Sequence, residues 1–371
     1  MDSDVFALAD ELGPARIIHV SEPTLGLRGI LVVDNVAIGP AIGGLRMAPD
    51  VTLQECFRLA RAMTLKNAAA GLPHGGGKSV LRADPNVEVA QKERLIRGFA
   101  YALRHEQGYI FGPDMGTDER CMAWIKDEIG RSVGLPRELG GIPLDEIGAT
   151  GWGMRHATEV ALPTLGIDVA GARVAVQGFG AVGQHYARFM HELGAVLVAA
   201  SDTHGTVYSR GGLDVEELIR LKRAGRSVTD VASGERRAQD AILDVDCEIW
   251  VPAARPDVVT VENVDRLSAR LVVEGANIPL TEEAERTLHE RGVLVLPDFI
   301  ANAGGVICAA MEYHGSTERE VFASIAEKIR ANVEQMLATS GQERIVPREA
   351  ALRLAVGRVK RAMATRRWSL L

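Results

Sequence analysis

The sequence predicts an α/β protein of two domains, and three observations carry that expectation. Its 371 residues are enough for two separate cores. Beyond residue 172, short apolar runs alternate with helical spacers, the rhythm of a parallel, doubly wound sheet. Between the first of those runs and the helix after it stands G-F-G-A-V-G, Gly178 to Gly183, a turn with the glycines a close backbone approach requires.

The N-terminal part reads as a short helix followed by strands: "ARIIHV" (15–20), "LRGILVVDNVA" (27–37) and the glycine-punctuated "IGPAIGGLRM" (38–47). The helix "VTLQECFRLARAMTLKNAAA" (51–70) repeats Leu53, Phe57, Ala60 and Thr64 at helical spacing, with Thr52 as N-cap. Further helices are "NVEVAQKERLIRGFAYALRHEQ" (86–107) and one beginning near Thr117. Between the first two lies "GLPHGGGKSV" (71–80), which invites a phosphate-loop reading, G-x-x-x-x-G-K-[ST]. Leu72 occupies the place of its first glycine, and the segment follows a helix where that motif needs a strand. We expect a glycine loop that leaves room for a ligand beside Lys78.

The Gly- and Pro-rich "RSVGLPRELGGIPLDEIGATG" (131–151) marks the crossing between domains, placed at residues 1–140 and 141–334. After it come the strand "ARVAVQGFG" (172–180), a helix (181–194) and the strand "AVLVAASD" (195–202). The runs "CEIWVPAA" (247–254), "ARLVVEGAN" (269–277) and "GVLVLPD" (292–298) continue the pattern. Two final helices, "STEREVFASIAEKIRANVEQMLAT" (316–339) and "REAALRLAVGRVKRAMATRRW" (348–368), close the chain. The part from about 335 to 371 is expected to pack back on the first domain.

Bulk properties exclude several classes. A composition of 47% hydrophobic and 25% charged residues is ordinary for a globular protein, and a net charge of −7 argues against a nucleic-acid surface. The basic run "RVKRAMATRRW" reads as a solvated helix face. Cys56, Cys121, Cys247 and Cys308 form no C-x-x-C pair, so neither a disulfide framework nor a metal site is expected. The acidic start lacks the pattern of a signal peptide, and no apolar run approaches the ~18 residues of a membrane span. The expected setting is cytoplasmic.

The glycine turn carries a dinucleotide reading in a Rossmann-type domain. Gly178 permits the tight turn, Gly180 lets a pyrophosphate approach the backbone, and Gly183 lets the helix pack closely; Phe179, Ala181 and Val182 complete the turn. The next strand ends in Ser201 and Asp202. Asp202 is either the ribose ligand or a turn cap; since no basic residue follows at once, NAD is favoured, with NADP possible.

The segments "GPAIGGLRM" (39–47), "MTLKNAAAGLPHGGGKS" (63–79), "GPDMGTDERCMAW" (112–124), "GFGAVG" and "PDFIANAGGV" (297–306) resemble the Glu/Leu/Phe/Val dehydrogenase family of amino-acid dehydrogenases, over nearly the whole chain. The first domain looks most like leucine dehydrogenases, and the second more like glutamate dehydrogenases. The resemblance implies a substrate and catalytic domain, an NAD(P)-binding domain, a cleft between them, and a homo-oligomer. It implies a catalytic Lys78, a Lys66 that holds the substrate α-carboxylate, and an Asp114 that handles amine protons. Asp114 as a mere cap of the helix after Thr117 is the competing reading. By the same resemblance Ile42, Gly43, Gly44, Met63, Asn277 and Ala309 lie around the substrate. Thr150, Ala253, Asn277 and Asn302 lie around the nicotinamide. His74, beside the glycines, reads better as a pocket-wall or hydrogen-bonded core histidine than as an acid or base.

The sequence departs from glutamate dehydrogenases at two places. They resemble this chain except that a lysine precedes the G-G of "GGLR", where Ile42 stands, and a serine stands where Ala309 does. An unpaired carboxylate against hydrocarbon costs several kcal/mol, whereas an apolar side chain gains roughly 25 cal/mol per Å² buried. The expectation is therefore oxidative deamination of a leucine-, valine- or phenylalanine-like amino acid, with Met47 and Met63 bearing on pocket size. The alternatives are glutamate, rescued by a cation such as His74 or Arg120, and an unusual amino acid of specialised metabolism. A non-catalytic nucleotide-binding protein would have lost Lys78 or Asp114, and both are present.

Overall fold

The structure, a computed structural model, describes residues 5–365. The chain packs as two units. One holds the described residues up to Pro143, Val306–Val321 and the chain from Leu352; the other holds Leu144–Gly305 and Phe322–Ala351. The change near Pro143 falls inside the Gly- and Pro-rich stretch. The C-terminal part divides differently from the expectation: Val306–Val321 goes with the first unit, and the return to it begins at Leu352 instead of about 335.

The first unit is built on β1 (Arg16–Glu22), β2 (Leu27–Asn35), β3 (Ala41–Ala48), β4 (Gly75–Arg82) and β5 (Tyr109–Pro113), in the order β1-β2-β4-β3-β5. β2 runs antiparallel to β1 and β4, while β3 runs parallel to β4 and β5. Its helices are α1 (Leu53–Ala69), α2 (Val89–Ala102) and α3 (Glu119–Ile129). α1 starts where the Thr52 side chain accepts the Glu55 N–H, and buries Cys56, Ala60, Thr64 and Asn67 on one stripe. α3 is capped by Asp118, which accepts the Cys121 N–H, so Asp114 is not its cap. Strand periodicity sends Leu45, Met47, Leu81 and Phe111 into one core with Ile96, Phe99, Met122 and Ile125. The other face gives Val32 and Val80 to a smaller core with Cys56 and Ala60 of α1.

The glycine run is thus a central strand, not a loop. Its glycines are needed because the neighbours come too close for any side chain. A Cβ on Gly76 would overlap the Thr64 backbone, one on Gly77 would lie 2.9 Å from the Tyr109 ring, and one on Gly43 would overlap the Gly77 carbonyl. The room expected for a ligand beside these glycines is filled by protein.

The second unit begins with α4 (Leu144–Ile147) and α5 (Ala149–Ala161). Next come β6 (Arg173–Gln177), α6 (Ala181–Glu192), β7 (Val196–Asp202), β8 (Gly205–Tyr208) and α7 (Val215–Arg223). The rest is β9 (Glu235–Arg237), β10 (Ile249–Pro252), β11 (Leu271–Val273), α8 (Glu282–Glu290), β12 (Leu294–Leu296) and α9 (Asp298–Ala301). The sheet order is β12-β11-β10-β6-β7-β8-β9, parallel as far as β7 and antiparallel for β8 and β9. That antiparallel edge was not foreseen. Three more helices follow, α10 (Gly304–Tyr313), α11 (Glu318–Glu343) and α12 (Pro347–Thr365).

The basic run on α12 is not a purely solvated face. Arg358 donates to the carbonyls of Ala68 and Ala69 at the end of α1, at 3.0 and 2.6 Å. The last residues of that run lie outside the described residues. All four cysteines are buried, and none is in a disulfide. Among the described residues no helix is long and apolar enough to cross a membrane, and no group of side chains could hold a metal ion.

Candidate active site

β3 and β4 pair Ile42 with Gly76, Leu45 with Ser79 and Arg46 with Val80. Alternation along the strands then puts Ile42, Gly44 and Arg46 on the same face as Gly76, Lys78 and Val80, the face that α1 covers. Asp114 follows β5 on that side, and its carboxylate forms an ion pair with the Lys78 amine. Lys78 is only 6% exposed. Asp114 is fixed by its neighbours: its Oδ1 accepts the Met115 N–H at 2.6 Å, and its own N–H donates to Thr117 Oγ1 at 3.0 Å. A Cβ on Gly44 would stand 2.8 Å from the Asp114 Cβ, so glycine there admits the aspartate to the strand surface.

Sequence reasoning missed Arg46. Its guanidinium lies 3.5 Å from Asp114 Oδ1 and 2.6 Å from Glu55 Oε1. Burial pulls the Lys78 pKa down to about 7, with the positive charges of Arg46 and Lys66 acting in the same sense. The paired Asp114 carboxylate opposes them. α1, which carries Lys66, is pinned by two buried bonds: Thr64 Oγ1 to Asp34 Oδ2 at 2.6 Å and Asn67 Nδ2 to the Gly75 carbonyl at 2.7 Å. The parity of Arg46 with Gly44 in "GGLRM" was the available signal, and it becomes readable only once β3 is recognised as a strand.

The remaining first-unit residues divide. Ile42 is 3% exposed on the Lys78 face, whereas Met47 points away into the main core and cannot bear on a pocket. Met63 and Ala309 are half-buried. His74 is buried, with Nδ1 at 3.0 Å from the Pro40 carbonyl and Nε2 at 3.1 Å from His314 Nε2. Burial lowers its pKa, so it stays neutral and offers no charge to a carboxylate. Arg120 is exposed, 3.6 Å from Asp118 and over the Trp124 ring.

In the second unit the glycines of the turn differ as a dinucleotide requires. Gly178 has φ 93°, and a Cβ there would lie 2.6 Å from Ala254; a Cβ on Gly183 would overlap the Gly178 carbonyl. Beside Gly180 there is open space, and α6 begins at this residue with no side chain capping it. Uncapped N–H groups over an open glycine fit the pyrophosphate of NAD(P). Phe179 is buried, and Ala181 and Val182 form the first turn of α6. The Ser201 carbonyl holds the turn, accepting the N–H groups of Gly178 and Phe179 at 3.1 and 3.0 Å.

Asp202 matches the cap reading. Its Oδ1 accepts from His204 N–H and Ser227 Oγ, and its Oδ2 from Lys222 and Val228 N–H, all at 2.9–3.0 Å. Burial opposes its ionisation, but Lys222 and the other donors win and hold the pKa at about 2. With its oxygens so occupied and an ammonium beside it, Asp202 gives no basis for choosing NAD over NADP. Ala253 N–H donates to the Gln177 carbonyl at 2.7 Å, which ties the end of β10 to that of β6. Asn302 Nδ2 lies 3.1 Å from Asn277 Oδ1, and a Cβ on Gly305 would meet Thr150 Oγ1 at 3.2 Å, so Thr150 stands against the start of α10.

Two family models match the chain in succession. They are the Glu/Leu/Phe/Val dehydrogenase dimerisation domain over residues 14–131 and Glutamate/Leucine/Phenylalanine/Valine dehydrogenase over 140–367. The NADP(+)-dependent glutamate dehydrogenase of Pyrobaculum calidifontis is 40% identical, over 96% of this chain and 92% of that one. The NAD-specific glutamate dehydrogenase of Staphylococcus aureus is 35% identical over 99% and 94%. The hetero-hexameric glutamate dehydrogenase of Thermus thermophilus, in a leucine-bound crystal structure, superposes with a TM-score of 0.83 at 31% identity, over 95% and 90% of the two chains. The chain therefore belongs to the Glu/Leu/Phe/Val dehydrogenase family and is an NAD(P)-dependent amino-acid dehydrogenase.

Proposed function

We propose that this chain carries out the reversible oxidative deamination of L-glutamate to its 2-oxo acid and ammonia. The observation that carries the chemistry is the buried Lys78–Asp114 pair beside Arg46. In this reading Lys66 binds the α-carboxylate of the substrate, and Asp114 takes a proton from the α-ammonium so that the nitrogen lone pair can assist at Cα. A nicotinamide bound in the second unit would supply the hydride acceptor, and loss of hydride from Cα makes the substrate an iminium. Lys78, with a pKa near 7, is neutral often enough to take a proton from the water that adds to the iminium carbon. Asp114 returns its proton to the amine and then takes the hydroxyl proton as ammonia leaves and the carbonyl forms. Gly178 to Gly183 would cradle the pyrophosphate, and Thr150, Ala253, Asn277 and Asn302 would border the nicotinamide. Residues 1–140 then supply catalysis, 141–334 supply the cofactor site, and the working form is a homo-oligomer.

Glutamate is supported by the names of the relatives, which replaces the apolar substrate expected from the sequence. One observation favours the apolar reading: buried Ile42 shares the Lys78 face, and neither neutral His74 nor exposed Arg120 makes up for a missing lysine. The test is kcat/KM for glutamate, leucine, valine and phenylalanine with a saturating cofactor. Glutamate should lead by roughly a hundredfold, the discrimination expected of a site that pairs a buried charge. If leucine or valine leads instead, the substrate is apolar, and Ile42→Lys with Ala309→Ser should then raise glutamate turnover.

A further inference from the structure

Four ionisable side chains meet inside the second unit. Arg348 of α12 donates to Glu285 Oε1 of α8 at 2.7 Å, to Asp298 Oδ1 of α9 at 2.9 Å and to Glu274 Oε2, just past β11, at 2.7 Å. Glu274 is fully buried, Glu285 and Asp298 are nearly so, and Arg348 is partly buried. A buried ionic cluster is weak evidence for stability, since desolvation offsets its attraction.

What distinguishes this one is where its bonds lead. The Asp298 N–H donates to Glu274 Oε2 at 2.8 Å, and Asp298 Oδ2 accepts the Ile278 N–H at 2.9 Å. The Asp298 carbonyl accepts the Asn302 N–H at 2.8 Å. The Asn302 amide then donates to Asn277 Oδ1 at 3.1 Å and to the carbonyls of Gly275 and Ala276 at 3.3 Å. Ile278, next to Asn277, has φ 49°, a left-handed conformation that a β-branched residue adopts only when its surroundings impose it. Its side chain is 54% exposed, so packing does not impose it. The bond to Asp298 and the Ile278 carbonyl, which accepts the Asp257 N–H at 2.9 Å, do.

We infer that Arg348, Glu274 and Asp298 are positioning residues that aim the side chains of Asn277 and Asn302 at the nicotinamide; this rests on the proposed cofactor role of those two asparagines. Glu274 Oε1 is buried and accepts no hydrogen bond, and burial holds Glu274 well above the usual carboxylate range. Burial thus favours the neutral form of Glu274, against the pull of the Arg348 guanidinium.

The test is a double-mutant cycle on the full-length enzyme with Arg348→Met, Asn302→Ala and both, read as kcat/KM for the cofactor at saturating amino acid. Asn302→Ala alone should lower it; if it does not, the cofactor role of Asn302 fails, and the inference falls with it. Given that loss, Arg348→Met should lower the same parameter by roughly 10- to 100-fold, as misplaced contacts do, while KM for the amino acid holds. Its effect should be much smaller in the Asn302→Ala background, where only the path through Asn277 remains. Losses that multiply, or native kinetics in a folded Arg348→Met enzyme, overturn the inference and leave the asparagine reading intact. If Arg348→Met fails to fold, Asp298→Asn takes its place in the cycle with the same expected outcomes. Glu274→Gln, an isostere of the neutral acid, should keep native kinetics, and a loss as large as that of Arg348→Met would overturn the assignment of Glu274.

Discussion

A lysine amine that is 6% exposed has lost most of the water that favours its charge, and two more cations stand nearby. Lys78 is therefore able to act as a base near neutrality, where an ordinary lysine, at about 10.4, is not. In the proposed mechanism the neutral amine is the active form. Hence kcat/KM for deamination should rise about tenfold per pH unit on the acid side of about 7 and level off above it. Lys78→Ala should remove turnover by several orders of magnitude and leave cofactor affinity alone; Lys78→Arg should be equally inactive, since guanidinium does not give up its proton. Arg46→Met removes a cation, so the acid limb should move to higher pH. A limb that stays in place in Arg46→Met would show that Arg46 does not tune Lys78. Short motifs in the sequence singled out Lys78, Asp114 and Lys66, and the structure pairs the first two. Arg46 was not legible there, because its partners come from β3, α1 and the turn after β5, which only the sheet register brings together.

At the scale of the element, β4 shows why a strand can hide. Strand signals in a sequence are alternation and β-branched residues, and Gly75, Gly76 and Gly77 offer neither. The strand forms because tertiary packing demands bare backbone between α1 and its neighbours. By contrast α1, with its Thr52 cap and buried stripe, and the turn before α6 carry local signals and were read correctly. The antiparallel β8 and β9, of four and three residues, were too short to signal. Two substitutions of the same chemistry should separate packing glycines from ligand glycines. Gly76→Ala puts a methyl into the Thr64 backbone and should lower unfolding stability by at least about 1–3 kcal/mol in a urea titration. Gly180→Ala meets nothing within 4 Å, so its stability should be near native while cofactor affinity falls. Equal stability losses at the two positions would refute the distinction.

At the scale of the molecule, each unit has a core of its own. Leu31, Leu45, Met47, Phe99 and Ile125 belong to the first, and Val198, Trp250, Val272 and Leu288 to the second. The glycine turn read as the pyrophosphate site lies wholly in the second. Cofactor that binds only folded protein stabilises it by RT ln(1 + [L]/Kd), about 2.7 kcal/mol at a hundred times Kd. In the absence of substrate, that gain should fall on the second unit. Natural reporters exist, since Trp124 is 9% exposed in the first core and Trp250 is fully buried in the second. Variants that keep one or the other tryptophan, with the rest changed to phenylalanine, should give separate urea transitions. NAD(P) should move the Trp250 transition to higher urea and leave that of Trp124 in place. Equal displacement of both would mean that the two cores unfold as one cooperative body, with the cofactor's binding energy spread across the whole chain.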